Sequence, residues 1–304
     1  MLLQVTHETR YRYTPPVRTA QHMAHLAPRD GPAQRVLSHR LAVSPSPAAS
    51  VQTRDAFGNT RTFFSLHTAH DELVVSAQSI VETQPVVPLA STIVWEAVRE
   101  RLHYRRGATY DAAAEFAFAS PQVPRHPDFA AYAGPSFPPG RPLLEAARDL
   151  MQRIHADFEY HTEATDVTTP ALEALGLRQG VCQDFAHVML GCLRSVGLPA
   201  RYVSGYLLTV PPPGQTRLVG SDASHAWVSV HVPGAAGGWV DFDPTNCRTP
   251  GEDYVTVAIG RDYSDVSPLR GVIHGGARHE LQVGVTVTPV ATAPAGAAPT
   301  PTIA

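Results

Sequence analysis

Three short runs of this chain carry residues whose types and spacing could do chemistry. They are Gly180-Val181-Cys182-Gln183-Asp184-Phe185-Ala186-His187, Ser224-His225-Ala226-Trp227, and Gly238-Trp239-Val240-Asp241-Phe242-Asp243-Pro244-Thr245. In order they offer a thiol opening a helix, a histidine opening a strand, and a carboxylate closing the next strand. Nucleophilic thiol chemistry needs those parts: a sulfur, a base to take its proton, and a group that orients the base.

The helix is read from Phe185, Val188, Met189, Cys192, Leu193 and Val196, which recur every three or four positions before Gly197-Leu198-Pro199 ends the pattern. Cys182 then lies in its first turn, where unpaired N–H groups and the positive end of the helix dipole favour thiolate over thiol. Gly180 lets the chain enter tightly. Asp184 falls roughly 200° around the helix from the sulfur, so it reads as a helix-terminus carboxylate. His187 reads as a buried, hydrogen-bonded side chain, Cys192 as packing, and Cys247 as a plain loop thiol. Gln183 is the candidate for an oxyanion donor beside the Cys182 backbone N–H.

From His225 to Val232 the chain alternates, with Ala226, Val228, Val230 and Val232 on one face and His225, Trp227, Ser229 and His231 on the other. A turn at Pro233 to Gly238 returns it into Trp239 to Asp243. Folding this hairpin about residue 235 reflects His225 onto about residue 245. Cross-strand neighbours sit about 5 Å apart, so Asp243 comes within reach of the imidazole. Asp241, on the same face, is the rival carboxylate.

The elements that must position these groups follow. The 304 residues suffice for two domains, and 43% apolar with 17% charged residues fits a globular chain. A net charge of −3 gives no electrostatic reason to expect nucleic acid or an anionic membrane as partner. No run reaches the roughly 20 apolar residues of a membrane span, and the start lacks a basic and then apolar leader pattern. Three cysteines without metal-like spacing suit a reducing compartment, so a cytoplasmic location is expected. All 24 basic residues are arginine. Codon bias explains this best, though an enzyme joining acyl groups to lysine amines would find no acceptor side chain in itself.

Val5, His7, Thr9, Tyr11 and Tyr13 alternate with Thr6, Glu8, Arg10 and Arg12, and further strand-like runs cover 36–43, 61–66 and 73–81. These predict an antiparallel β-sandwich over residues 1–88. Residues 89–141 are expected to hold a helix through Trp95 to Leu102, capped by Ser91 or Thr92. A proline-rich connector without regular structure then runs from Ser120 to Arg141. Residues 142–289 form the core that carries the three runs, starting with a helix from Leu143 to Asp157, and residues 290–304 read as a disordered tail. The loop Pro211 to Ser224, just before the histidine, is a candidate lid. A zinc site at His22/His25 or His67/His70 lacks companion ligands.

Together the runs resemble the transglutaminase-like superfamily, the papain-related group with a Cys, His and Asp triad. The likeness runs through Gly180 to Ala186, Gly197-Leu198-Pro199-Ala200-Arg201-Tyr202-Val203-Ser204-Gly205-Tyr206, His225-Ala226-Trp227 and Trp239 to Thr245. His7-Glu8-Thr9-Arg10-Tyr11 and Asp55-Ala56-Phe57-Gly58-Asn59 look like the β-sandwich that precedes this core in bacterial members. The resemblance implies an α+β fold, with a helix bearing the cysteine packed on an antiparallel sheet. It assigns the triad carboxylate to Asp243 rather than Asp241. It further implies thiol-dependent acyl transfer or hydrolysis on amide bonds of a protein or peptide, without a cofactor. No acidic calcium loop is present. The rival expectation is a catalytically silent scaffold on the same fold.

Overall fold

A computed structural model of the chain describes residues 1–87, 89–103, 106–107, 109–209 and 224–290. The expected lid, apart from Ser224, and the expected tail from 291 onward lie outside the described residues.

The chain opens on one long strand, β1 (Leu2–Ala24), whose alternation buries Leu3, Val5, His7, Thr9 and Tyr13 as the sequence predicts. β2 (Gln34–Ser44), β3 (Ala49–Arg54), β4 (Thr60–Leu66) and β5 (His70–Thr83) follow, all antiparallel. The first half of β1 pairs with β5 and its second half with β4. The β5 ladder breaks between Arg12 and Val17, where Pro15 and Pro16 have no N–H to donate. The two halves enclose a core in which Tyr13, Val17 and Ala20 meet Phe64, Leu66, Leu73 and Val75.

The second part begins with α1 (Trp95–Arg101), which starts after Val94 without a capping side chain. The stretch read as a connector instead holds α2 (Pro127–Ala133), with Phe129 fully buried. Pro127 sits at the helix start, where its missing N–H costs nothing, and His126 caps the turn. Then come α3 (Leu143–Asp157), as predicted, β6 (Glu159–Tyr160), α4 (Ala171–Leu177) and β7 (Gln179–Gly180). α5 (Cys182–Ser195) is buried along nearly its whole length because it is the centre of the core. α2, α3 and α4 contact it, and a Cβ at Gly191 would stand 2.7 Å from the Phe129 ring, so glycine is what lets α2 approach.

β8 (Ala200–Leu207), β9 (Ser224–His231), β10 (Trp239–Phe242) and β11 (Tyr254–Gly260) make an antiparallel sheet in the order β10-β9-β8-β11. α6 (Tyr263–Val266) leads to β12 (Leu269–Gly275) and β13 (Arg278–Pro289). These last two strands do not extend the core, as the expected limits of 142–289 had it. They return to β1, β13 along its first half and β12 along its second, completing a seven-stranded sheet. The first 88 residues supply β1 with partners along only one edge, and the last strands fill the other.

The two parts are tied at β11, the edge strand of the core sheet. The Gln34 side chain donates to the Thr256 carbonyl and accepts from its N–H, at 2.7 and 2.8 Å. The Asn59 amide does the same at Ile259, at 2.7 and 2.9 Å. Two side-chain amides thereby satisfy backbone groups that an edge strand leaves open. Replacing the fully buried Asn59 by alanine strips the Ile259 pair. The expected loss is about 2–6 kcal/mol, from ~1–3 kcal/mol for each of the two orphaned buried groups. Urea denaturation measures it, and a change under about 0.5 kcal/mol, the range of surface substitutions, contradicts the assignment.

Candidate active site

Cys182 is the first residue of α5 and is half-buried. Its place is set by the segment just before it. β6 and β7 form a short parallel pair, Tyr160 opposite Gly180, which delivers the chain to the helix start. Asp184 then turns back to accept the Val181 N–H at 2.8 Å and the Thr165 hydroxyl at 2.6 Å. A Cβ at Gly180 would collide with that carboxylate at 2.4 Å. Asp184 is thus a helix-terminus carboxylate turned from the sulfur, as its helical position predicts. Burial raises its pKa, against the pull of the Thr165 and Val181 hydrogen bonds.

His225 enters on β9. The observed register places Trp239 opposite His231 and Phe242 opposite Val228, and continuing it sets Thr245 opposite His225, the reflection expected from the sequence. Asp243 ends that arm. His225 Nε2 donates to Asp243 Oδ2 at 2.7 Å, and Cys182 lies close enough to the same imidazole for its charge to raise the histidine's pKa. With Nε2 on the carboxylate, Nδ1 is the nitrogen left for sulfur. Sulfur, imidazole and carboxylate therefore form one connected line from α5 across β9 to the end of β10.

The rival carboxylate is occupied elsewhere, since Asp241 Oδ2 accepts the Trp227 indole N–H at 3.1 Å. Asp243 is fully buried. Its Oδ1 accepts the Thr245 and Asn246 backbone N–H groups at 2.9 and 3.2 Å, closing a tight turn around Pro244. Cys247, in this same turn, adopts a left-handed φ of 53°. The Asn246 side chain and the Tyr254 hydroxyl also reach Oδ2, at 2.7 and 2.6 Å. Neither residue was singled out from sequence. The Asn246 signal was at hand, an amide three residues after the aspartate; Tyr254 had none, being brought in by β11.

Electrostatics follows from this packing. Burial pushes the Asp243 carboxyl upward, but His225, Tyr254 and Asn246 outweigh it and hold the group below its usual range. Burial likewise pulls His225 down, yet the bonds and charges of Asp243 and Cys182 push it up to about 10.

The remaining sequence candidates divide clearly. Gln183 is buried with its amide nitrogen on the Val167 carbonyl, at 3.1 Å. Tyr160, more than half exposed, stands close enough to Cys182 for the sulfur's charge to raise its pKa, after burial. His187 is fully buried, and its Nε2 accepts the Tyr263 N–H at 3.2 Å; burial lowers it to about 4. Cys192 is fully buried in the core. Among the described residues no group of three or more His, Cys, Asp or Glu gathers to hold a metal. His22 stacks on Phe64, while His25 and His70 bond the Ser267 and Thr68 carbonyls.

A thiol at a helix N-terminus, an imidazole on the sheet beside it and an aspartate behind the imidazole define the papain-like arrangement. The family model of the transglutaminase-like superfamily matches residues 132–244, and that of the bacterial transglutaminase-like N-terminal region matches residues 3–82. Uncharacterized proteins of Mycobacterium tuberculosis and Mycobacterium bovis are 41% identical over 294 residues, spanning 94% of this chain and 92% of theirs. The chain belongs to the transglutaminase-like superfamily. A protein-glutamine gamma-glutamyltransferase of Pseudomonas aeruginosa is 32% identical over 125 residues, 35% of this chain and 18% of that protein. A solved structure from Cytophaga hutchinsonii, provisionally described as a cysteine protease, superposes with a TM-score of 0.74 over 96% of this chain and 92% of that one. At 20% identity this likeness shows the fold alone.

The site makes a direct prediction for titration. Asp243→Asn removes a charge and a charge-assisted hydrogen bond that both favour imidazolium, so His225 must lose its proton at lower pH. A bond of that kind is worth about 1.5–3 kcal/mol, which is roughly one to two pH units. Nitrogen-resolved NMR of the ring should find wild-type His225 still protonated at pH 8 and the variant titrating roughly one to two units lower than the wild type. An unmoved titration contradicts the pairing.

Proposed function

We propose that this protein is a thiol-dependent acyltransferase or hydrolase acting on carboxamide or peptide bonds of a protein or peptide. The observation that carries the reading is the His225 imidazole hydrogen-bonded to Asp243 on one side and adjoining Cys182 on the other. His225 already holds the proton taken from the thiol when Cys182 Sγ attacks the carbonyl carbon. The tetrahedral intermediate collapses to a thioester as the C–N bond breaks, and His225 returns the proton to the departing nitrogen. Asp243 holds the imidazole in the tautomer that presents Nδ1 to sulfur and stabilises its charged form. Water or an amine then attacks the thioester, with His225 as base once more.

The oxyanion is held at the start of α5 by the Cys182 backbone N–H. Gln183 was the sequence's choice for the second donor, but its amide nitrogen is engaged by Val167. Tyr160, beside the sulfur and open to solvent, suits the role better. Tyr160→Phe should lower kcat about 10- to 1,000-fold while leaving KM within about twofold, the pattern of a donor used only in the transition state. A change in KM alone would remove Tyr160 from the mechanism. With three free cysteines, a reducing, cytoplasmic location fits this chemistry.

Incubating glutamine-containing peptides with the protein, with and without a primary amine, tests the function. In mass spectra a one-dalton gain marks deamidation, an amine adduct marks transfer, and backbone scission marks proteolysis. We expect at least one, lost by about 1,000-fold or more in Cys182→Ala. Products that persist in that variant, or none from the wild type across a peptide library, overturn the reading.

A further inference from the structure

Asp243 Oδ2 accepts more hydrogen bonds than orienting a histidine requires: His225 at 2.7 Å, Asn246 Nδ2 at 2.7 Å and the Tyr254 hydroxyl at 2.6 Å. The Tyr254 contact has a further partner. Arg248 Nε lies 3.0 Å from the same phenol oxygen, and Arg248 is itself anchored on Asp253. A guanidinium only donates and an ionised carboxylate only accepts. The phenol oxygen must therefore be the acceptor towards Arg248, and its proton must lie on Asp243. The direction of this hydroxyl is fixed by its two neighbours.

We propose that Tyr254 is a positioning residue of this site, its proton directed by Arg248 onto Asp243 so that it weakens the carboxylate's hold on the His225 imidazolium. The inference rests on the reading of Cys182, His225 and Asp243 as a reactive triad. A carboxylate oxygen shared among several donors is a poorer acceptor for each. Tyr254 thus draws off part of the charge that would otherwise bind the imidazolium proton more firmly. A base that releases its proton too reluctantly cannot protonate the departing amine.

The groups facing His225 from each packed element are few. Cys182 comes from α5, Asp243 and Asn246 from the turn after β10, Tyr254 from β11, and Trp227 from β9 itself. Asp241 is turned to Trp227, and Arg248 and Asp253 act through Tyr254. The Tyr254 ring is held independently of its hydroxyl, packed edge-on against Trp227 at 5.3 Å. Tyr254→Phe therefore keeps the packing and removes only the donor.

The test measures His225 titration by NMR in the full chain carrying Cys182→Ala, which removes the sulfur's upward push and brings the transition to a convenient pH. Adding Tyr254→Phe should raise the midpoint by roughly half to one unit, about a three- to tenfold gain in proton affinity, the scale of one charge-assisted hydrogen bond redistributed. Arg248→Met, which frees the hydroxyl to rotate, should move it the same way by less. It serves as the second arm if the tyrosine variant does not fold. In the otherwise wild-type chain, Tyr254→Phe should shift the alkaline limb of kcat/KM upward. A lowered melting temperature with an unmoved His225 midpoint, or a downward shift, overturns the inference. Because the titration needs no turnover, an inert wild-type enzyme would sink the proposed function and leave this result readable.

Discussion

A carboxylate with no exposed surface has to be matched by donors or lose its charge, and Asp243 is matched by five: His225, Tyr254, the Asn246 side chain, and the Thr245 and Asn246 backbone N–H groups. The geometry of the site depends on this convergence. It holds the turn after β10 closed, keeps Asp243 facing inward, and fixes which imidazole nitrogen is left for sulfur. The cysteine is positioned separately, by the carboxylate of Asp184 at the start of α5 and by the glycine that makes room for it. Two buried aspartates, Asp184 beside the thiol and Asp243 behind the imidazole, set the two reacting groups.

The strands at the ends of the chain matter to this arrangement through β11. That strand carries Tyr254 at its start and is the open edge of the core sheet. Gln34 and Asn59 clamp it from the N-terminal sheet, and Thr83 and Met1 meet Glu252 just ahead of it. Beneath, Leu3, Val5, Val81, Val285 and Val287 share one apolar core with α3 and α5. The first sheet is thus a wall of the same core, and its side-chain amides hold the strand that supplies a donor to Asp243.

Much of this was legible in the residues. The alternation of β9 and the turn at Pro233 to Gly238 set a register that put His225 opposite Thr245, because pairing in a hairpin is local and each strand has a period of two. The spacing of Phe185, Val188, Met189 and Cys192 located α5, and the alternation from Val5 to Tyr13 located β1. Asp243 could not be separated from Asp241 by spacing, since both lie on one face; the distinction comes from the Trp227 indole, which occupies Asp241. α2 was hidden because proline was read as a breaker, although at the first helical position it is compatible with helix. The pairing of β12 and β13 with β1 joins residues more than two hundred positions apart, which no local pattern records. Tyr254, eleven residues after Asp243, was missed because it arrives through the pairing of β11 with β8, which no local pattern records either.

The central claim is that one imidazole activates one thiol among three. Cys182 and Cys247 are both half-buried free thiols, so exposure alone gives iodoacetamide little reason to prefer either. The account predicts that at pH 7 Cys182 is alkylated at least about tenfold faster than Cys247, and that His225→Ala removes the difference. Equal rates at the two cysteines, unchanged in the His225 variant, would contradict it.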